Sequence, residues 1–327
     1  GEYDTIQAAI NDATSDGTVV VEPGTYQESV TADVEGLTLK SAEGAQPTIV
    51  APNNNKALDV SVNNVAVSGF EILGADDTTA VEVTTGNVNT GTFALSNSTV
   101  ESGEGVANTV LIAGDGNGFQ GPAEAAIENS VLVDNSGTAA LNVFGGDTRN
   151  NITVTGSELR GDPGGLRGIN DLTFINNEVT VSTEFALDLE AVSESTISDN
   201  EFESTDNAPK FVQVDDDSVE LAPILDSNTF DGAVTLRDDA GNITGDRIFA
   251  AIQPAVDATS EDGTVSVGAG TYNESVDISG NNISIVGPNT GVPGDERNVD
   301  NFASEAVLTN PDGRAIEVSN NASVTLD

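Results

Sequence analysis

Residues 6–30 read IQAAINDATSDGTVVVEPGTYQESV, and residues 252–276 read IQPAVDATSEDGTVSVGAGTYNESV, a near-copy displaced by 246 positions. More than half of the aligned positions are identical, so the same structural unit begins twice, near Tyr3 and near Arg247. Each copy has a local logic. Ile6, Ala9, Ile10 and Ala13 fall on one face of a short helix, and Asp16-Gly17 then turns the chain. Val19 to Val21 predict a buried strand, and Pro23-Gly24, or Ala269-Gly270 in the second copy, turns it before Tyr26 or Tyr272. A helix leading straight into strands suits a cap over the open end of a solenoid, where bare strand edges would pair with other chains.

Between the caps a weaker period runs, of the form apolar-x-x-(Asn/Ser)-x-apolar. Its instances are LSNSTV ending at Val100, AIENSV at Val131, VTGSEL at Leu159, FINNEV at Val179, ISDNEF at Phe202 and LDSNTF at Phe230, with VSGFEI at Ile72 a looser match. Their spacing, about 20 to 32 residues, is that of one solenoid coil with variable loops. Apolar residues alternate into a core, while Asn and Ser suit corners, because Asn tolerates left-handed backbone and bonds its own main chain. Asn129, Asn177, Asn200 and Asn228 fall in one register and predict a ladder down one corner. About nine coils at the inter-strand spacing of ~4.8 Å give a rod on the order of 40 Å long. No helix is expected beyond the two caps. The fold expected is all-β, a right-handed parallel β-helix with short capping helices. Residues 1–246 form its first unit, and residues 247–327 the cap and first coils of a second, incomplete one.

Composition sets the environment. The chain carries 54 acidic and 10 basic residues, no histidine and a formal charge of -44. Such self-repulsion opposes compaction, but in molar salt the Debye length falls to roughly 3 Å and the carboxylates become a hydrated coat. That predicts a halophilic setting. Disorder is argued against because Val, Ile, Leu and Phe make up about a quarter of the chain, above the roughly one-fifth where disordered composition begins. Nucleic acid is excluded as a partner, since binding a phosphate backbone needs Lys and Arg. With no cysteine and no histidine, disulfides, thiol chemistry and histidine-based catalysis are ruled out. No apolar run approaches the roughly 18 residues of a membrane span. The chain opens at Gly1 without an initiator Met or signal peptide, which predicts a processed or excised segment whose export signal and anchor lie elsewhere.

The phrases TIQAAI (residues 5–10), VVVEPGTYQESV (19–30) and GLTLKSA (36–42) resemble the opening of pectin-lyase-like right-handed β-helix proteins, most closely pectinesterases and haloarchaeal surface proteins of that fold. The resemblance covers residues 5–45 and 251–287. It implies architecture more than activity, because the enzymes' motifs are missing. The pectinesterase strings QDTL, DFIFG and LGRPW do not occur, and the GHG of polygalacturonases is excluded by composition. The arginine motif of pectate lyases is not found. In this resemblance GTYQES is a fold motif, with Tyr26 and Tyr272 packing at the caps.

Candidate sites are therefore few, and no catalytic residue is assigned. A glycosidase can work with two carboxylates, and Asp76-Asp77, Asp199, Asp238-Asp239 and the run Asp215, Asp216, Asp217 are the densest acids. In so acidic a chain, chance and surface adaptation produce such clusters. Calcium needs only oxygen ligands; Asp115 and Asn117 in GDGNG, with Asp215, Asp216 and Asp217, are the candidates, although GDGNG lacks the spacing of an EF-hand. Arg160 and Arg167, flanking GDPGG, are read as paired structurally. N-glycosylation sequons stand at Asn97, Asn151, Asn242, Asn273, Asn282 and Asn321.

The stretch AIEVSNNASVTLD at the end of the second unit matches ALDVSVNNVAVSG of the first. This predicts a longer array of units, self-association through the β-helix ends, or simply a proteolytic boundary of the segment. The leading expectation is a secreted or surface-displayed structural or adhesive protein, a rigid spacer presenting loops to glycans or neighbouring cells. The rivals are a carboxylate-based enzyme acting on polysaccharide in a groove along the solenoid, and a carbohydrate-binding module without turnover.

Overall fold

The computed structural model describes residues 2–84, 91–113, 122–144, 150–161, 164–182, 185–190, 192–205, 210–214, 219–230, 234–237, 243–259, 262–280, 282–292, 305–310, 313–320 and 322–327. The chain passes through three sheets in turn, so that every third strand is a hydrogen-bonded parallel neighbour. This is the architecture of a parallel β-helix. The first sheet stacks eight strands from Thr18–Val21 to Ser195–Ser198, and the second stacks nine from Thr25–Gln27 to Thr229–Phe230. The third begins at Val30–Ala32 and reaches Lys210–Val214 before its direction changes.

Short alternating strands suffice because each is buried on one face only. In the first sheet Val19, Leu39, Val67, Leu95, Ile127, Val154, Phe174 and Ile197 lie in register and all are buried. Val20 departs from the expected buried strand. It is 51% exposed, because the period-two geometry of a strand turns it away from its buried neighbours Val19 and Val21.

The corner between first and second sheets is two residues wide in six coils, and its two positions do different things. Gly69, Asn97, Asn129, Gly156, Asn176 and Asp199 occupy the first with positive φ, the left-handed backbone that Gly, Asn and Asp tolerate best. The second position points inward and carries a ladder. The amide N–H of Phe70 donates to Ser98 Oγ (3.2 Å), Ser98 N–H to Ser130 Oγ (3.3 Å) and Ser130 N–H to Ser157 Oγ (3.2 Å). Ser157 N–H continues to Asn177 Oδ1 (3.0 Å), Asn177 N–H to Asn200 Oδ1 (2.8 Å) and Asn200 N–H to Asn228 Oδ1 (3.0 Å). One side-chain oxygen per coil thus accepts the main-chain donor of the coil before it. Asn129 is not part of this ladder. Val100 pairs with Leu132 rather than Val131, which moves Asn129 one place back into the left-handed column and gives its expected place to Ser130.

A third helix, Leu221–Ser227, corrects the expectation that only the caps are helical. It takes up the first half of LDSNTF, so that only Thr229–Phe230 joins a sheet. Leu221 and Ile224 are buried beneath the last coil, and Phe230 stacks on Phe202 at 4.9 Å.

Beyond this point the third sheet continues without a break. Lys210–Val214 pairs antiparallel with Ile243–Phe249, which pairs antiparallel with Val234–Arg237, which in turn pairs antiparallel with Thr264–Val267. Parallel pairing resumes with Asn282–Val286 and Ser323–Leu326, giving thirteen strands in one sheet. The buried core divides at the same junction, one cluster ending at Ile248 and the next beginning at Phe249.

The ladder makes a direct prediction. Asn200 is 1% exposed, and its amide also donates to Phe174 O at 2.8 Å. Asn200→Ala strands the Asn177 N–H and the Phe174 carbonyl, at about 1–3 kcal/mol per buried group. Asn200→Ser, which keeps an acceptor for Asn177, loses less. Urea unfolding in molar salt should rank wild type above Ser above Ala; equal midpoints for all three would remove the ladder as a stabilising element.

Candidate functional site

The most strongly built polar constellation is the end clamp, and it occurs twice. Glu28 of GTYQES accepts from the amides of Ile6 (2.7 Å) and Gln7 (3.0 Å), capping the first turn of helix Ile6–Asn11 with both carboxylate oxygens. Gln7 in turn accepts from Thr31 N–H (2.7 Å) and donates to Thr31 O (3.2 Å), so its amide takes the place of a neighbouring strand at the bare edge of Val30–Ala32. In the second unit Glu274 accepts from Ile252 (2.7 Å) and Gln253 (2.9 Å), and Gln253 exchanges bonds of 2.6 and 3.2 Å with Asp277. There Ala251 holds the N-cap position and contributes no side-chain bond, which leaves the cap to Glu274. Both tyrosines brace the turn before them: Tyr26 donates to Glu22 O and Tyr272 to Gly268 O, each at 3.0 Å. The repeated motif holds an end closed.

The outer faces differ sharply. On the first sheet a groove of about 290 Å³ is rimmed by Thr92, Glu124, Asn151 and Asp171. Its floor is the in-register column Ala94, Ala126, Thr153 and Thr173. Glu124 and Asp171 stand two strand steps apart, on the order of 10 Å, both exposed.

On the second sheet Glu158, Glu178 and Glu201 stack directly above one another, like charges at ~4.8 Å. Arg160 answers only one end. Its bond to Glu158 raises its pKa, with burial opposing and the charges of Glu178 and Glu101 adding.

On the third sheet Arg167 reaches the buried carboxylate of Asp188 (2.9 Å) and Glu190 (3.2 Å), passing over Gly165, which leaves room for the guanidinium. Lys56 bridges Glu82 (2.8 Å) and Asp59 (3.3 Å); burial works against its charge, but the bond to Glu82 and the two carboxylates together raise its pKa. A fourth feature is a cavity of about 500 Å³ in the second unit, walled by Val267, Tyr272, Ile285 and Leu308 and by the polar Asn289, Glu305 and Asp327.

The residues singled out in the sequence are scattered over these surfaces. Asp76 and Asp77 accept from Glu104 N–H (3.0 Å) and Val106 N–H (3.1 Å) of the next coil, so this acidic pair braces a corner. Asp199 sits in the left-handed column. Asn97, Asn151 and Asn273 are exposed, and Asn282 is half-buried in its strand. The calcium candidates Asp115, Asn117, Asp215, Asp216 and Asp217, the pair Asp238-Asp239, and the sequons at Asn242 and Asn321 lie outside the described residues. Among the described residues no group of three or more acids is disposed to hold a metal ion, and no helix is long and apolar enough to cross a membrane. Sequence reasoning missed the clamp. Its signal was present, since Gln7/Gln253 and Glu28/Glu274 are identical in both copies although Ala8 and Gln27 beside them become Pro254 and Asn273.

With this geometry in hand, comparison with known proteins adds no assignment: no family model, curated protein or solved structure matches the chain.

Two consequences follow from charge. Glu28→Gln removes one acceptor and the charge at the helix N-terminus, a loss of about 1 kcal/mol on the scale of N-caps. Amide exchange at Ile6 and Gln7 should quicken while exchange at Ile252 and Gln253 is unchanged, and Glu274→Gln should show the reverse; no local change in either variant would refute the clamp. Separately, Glu201→Gln relieves a directly opposed like-charge contact, worth roughly 0.2–1 kcal/mol. The salt concentration needed to hold the chain folded should fall in this variant, and the advantage should shrink in molar salt, where the Debye length of roughly 3 Å is shorter than the strand spacing.

Proposed function

We propose that this chain is one unit, and the opening of a second, of a right-handed parallel β-helical spacer displayed outside a halophile's cell, where it acts by length and repetition rather than by turnover. The observation that carries this reading is the unbroken third sheet. It passes from the first unit through the antiparallel strands Ile243–Phe249 and Val234–Arg237 into the second, and the second unit then repeats the end clamp of the first. A junction hydrogen-bonded in this way transmits force along the rod, as a spacer needs. The charge of -44 suits exposure to brine, and the exposed sequons Asn97, Asn151 and Asn273 suit decoration outside a cell. Head-to-tail contact through the β-helix ends is the heterologous mode that makes arrays or filaments.

A second reading, recognition of a glycan without turnover, is favoured by one specific feature, the first-sheet groove. Its floor of Ala and Thr is uncharged in a chain that is otherwise strongly acidic, and Thr92, Asn151 and the flanking carboxylates offer hydrogen bonds to hydroxyl groups. An enzyme built on Glu124 and Asp171 would use the same groove.

The readings separate in one set of measurements in molar salt. The spacer reading expects concentration-dependent growth in light scattering, with rods seen by electron microscopy, and no reducing-sugar release or unsaturated product from a polysaccharide panel. Release that is lost in Glu124→Gln or Asp171→Asn would establish the enzyme instead. A strict monomer that binds immobilised glycans would establish the second reading.

A further inference from the structure

The first-sheet groove has a glycosylation sequon built into it. Asn151, Ile152 and Thr153 belong to strand Asn150–Thr155. By the alternation of a strand, Asn151 and Thr153 project from one face, while Ile152, 1% exposed, enters the core. Asn151 stands on the rim of the groove and Thr153 in its floor. Glu124 and Asp171 flank Asn151 in the same column, one strand step of ~4.8 Å to either side. Among the described residues, neither the Asn151 side-chain amide nor the Thr153 hydroxyl has a hydrogen-bond partner. The other described sequons are placed differently. Asn273 accepts from Thr309 Oγ1 (3.5 Å), and its Ser275 donates to Arg314 O (3.1 Å). Asn282 is half-buried, and Asn97 occupies the left-handed corner.

The groove is poorly made for a free glycan. At about 290 Å³ it lies just below the range of ordinary ligand pockets, roughly 300–1,000 Å³. Among its described lining residues the one aromatic is Phe93, which is 1% exposed and belongs to the core, so it offers a sugar no ring to stack on. Hydrogen bonds to Thr, Asn and carboxylate groups remain. Each is exchanged against bonds to water and gains little, while a free ligand must also give up its translational and rotational freedom. A glycan already joined to Asn151 has given up that freedom. Its tether sets an effective concentration in about the millimolar range, at which weak contacts suffice.

We infer that Asn151 is a glycan attachment site and that the first-sheet groove is the seat of the glycan it carries. The sugar next to the asparagine is neutral and lies over Ala126 and Thr153, its hydroxyls donating to Glu124 and Asp171. An acidic sugar would meet two like charges, and no Lys or Arg among the described lining residues answers it. Attachment joins Asn151 Nδ2 to the anomeric carbon of a glycosyl phosphate donor. The N–C bond forms, the C–O bond to the phosphate breaks, the phosphate departs with the bonding pair, and the amide gives up one proton. Donor and transferase belong to the export route, so the inference rests on the reading of display outside a cell. It replaces the free ligand of the second reading with a tethered one.

The test uses the full chain exported by a halophilic host with N-glycosylation, beside Asn151→Gln and Thr153→Val from the same host. Glycopeptide mass spectrometry should find Asn151 carrying a neutral first sugar in the wild type. It should find Asn151 bare in Thr153→Val, which keeps the asparagine and a β-branched residue in the strand. Carbodiimide labelling of carboxylates in molar salt then reads the seat. With contacts of about millimolar strength the tethered glycan fills the groove about half the time or more, so Glu124 and Asp171 should label at least about twofold less in the wild type than in either variant. Glu35, exposed and outside the groove, should label equally in all three. Asn151 bare while Asn97 or Asn273 is modified overturns the attachment site and leaves the display reading standing; all of these bare removes the sequons' support for display as well. A modified Asn151 with Glu124 and Asp171 labelled as in Asn151→Gln overturns the seat, as does an acidic first sugar. Glycan released from the wild type and added at micromolar concentration to Asn151→Gln should protect neither carboxylate; protection would overturn the tether and restore a free ligand.

Discussion

In-register parallel stacking is the constraint from which the rest of this molecule follows. Because each strand lies one hydrogen-bonded step above its predecessor, a side chain's nearest neighbours are the same position in the coils on either side. A residue is therefore chosen for a column as much as for a coil. Apolar columns close the core at no cost in specificity. An inward polar residue, by contrast, survives only if the coils next to it continue the bonding, which is why Ser98, Ser130, Ser157, Asn177, Asn200 and Asn228 follow one another without interruption. The switch from Ser to Asn within that series is chemically small. Both offer an oxygen to the preceding coil, but Ser130 turns its hydroxyl to its own coil at Glu128 O, while Asn177 reaches back to Val154 O.

The same rule acts outward with the opposite sign. Stacking concentrates like charges, as at Glu158, Glu178 and Glu201, and a solenoid cannot relieve them by rotating one strand away. The acidic surface thus ties stability to ionic strength more tightly here than in a globular protein of equal charge, since screening must work at a single strand spacing. The basic residues Lys56, Arg160 and Arg167 are each placed against carboxylates of their own or neighbouring coils. They relieve columns locally rather than balancing the whole.

Much of the architecture was legible because columns leave local traces. Alternation in strands such as Phe93–Leu95 and the corner pairs Asn97-Ser98 and Asn176-Asn177 mark coils without any long-range information, and the repeat at 246 positions marks a second beginning. What was not legible depends on register. AIENSV fits the coil pattern in two alignments one residue apart, and only the pairing of Val100 with Leu132 chooses between them. The helix Leu221–Ser227 hid behind a coil-like LDSNTF, although Leu221, Ile224 and Leu225 have helical spacing. The clamp was illegible for a deeper reason: Glu28 acts on amides more than twenty residues away, and identity between the two copies was the only sign that it acts at all.

The corners also divide the surface into a constrained side and a permissive one. From Ser68 to Glu201 the step between first and second sheets is always two residues, because the left-handed position and the ladder fill it completely. The return from third sheet to first obeys no such rule, ranging from Gly168 alone to the whole stretch 114–123. Length variation is thus vented along the other two seams, since the step from second sheet to third also varies, from residues 28–29 to residues 51–57. New segments can be gained or lost there coil by coil without disturbing the stack, so sequence novelty accumulates away from one fixed corner of the rod.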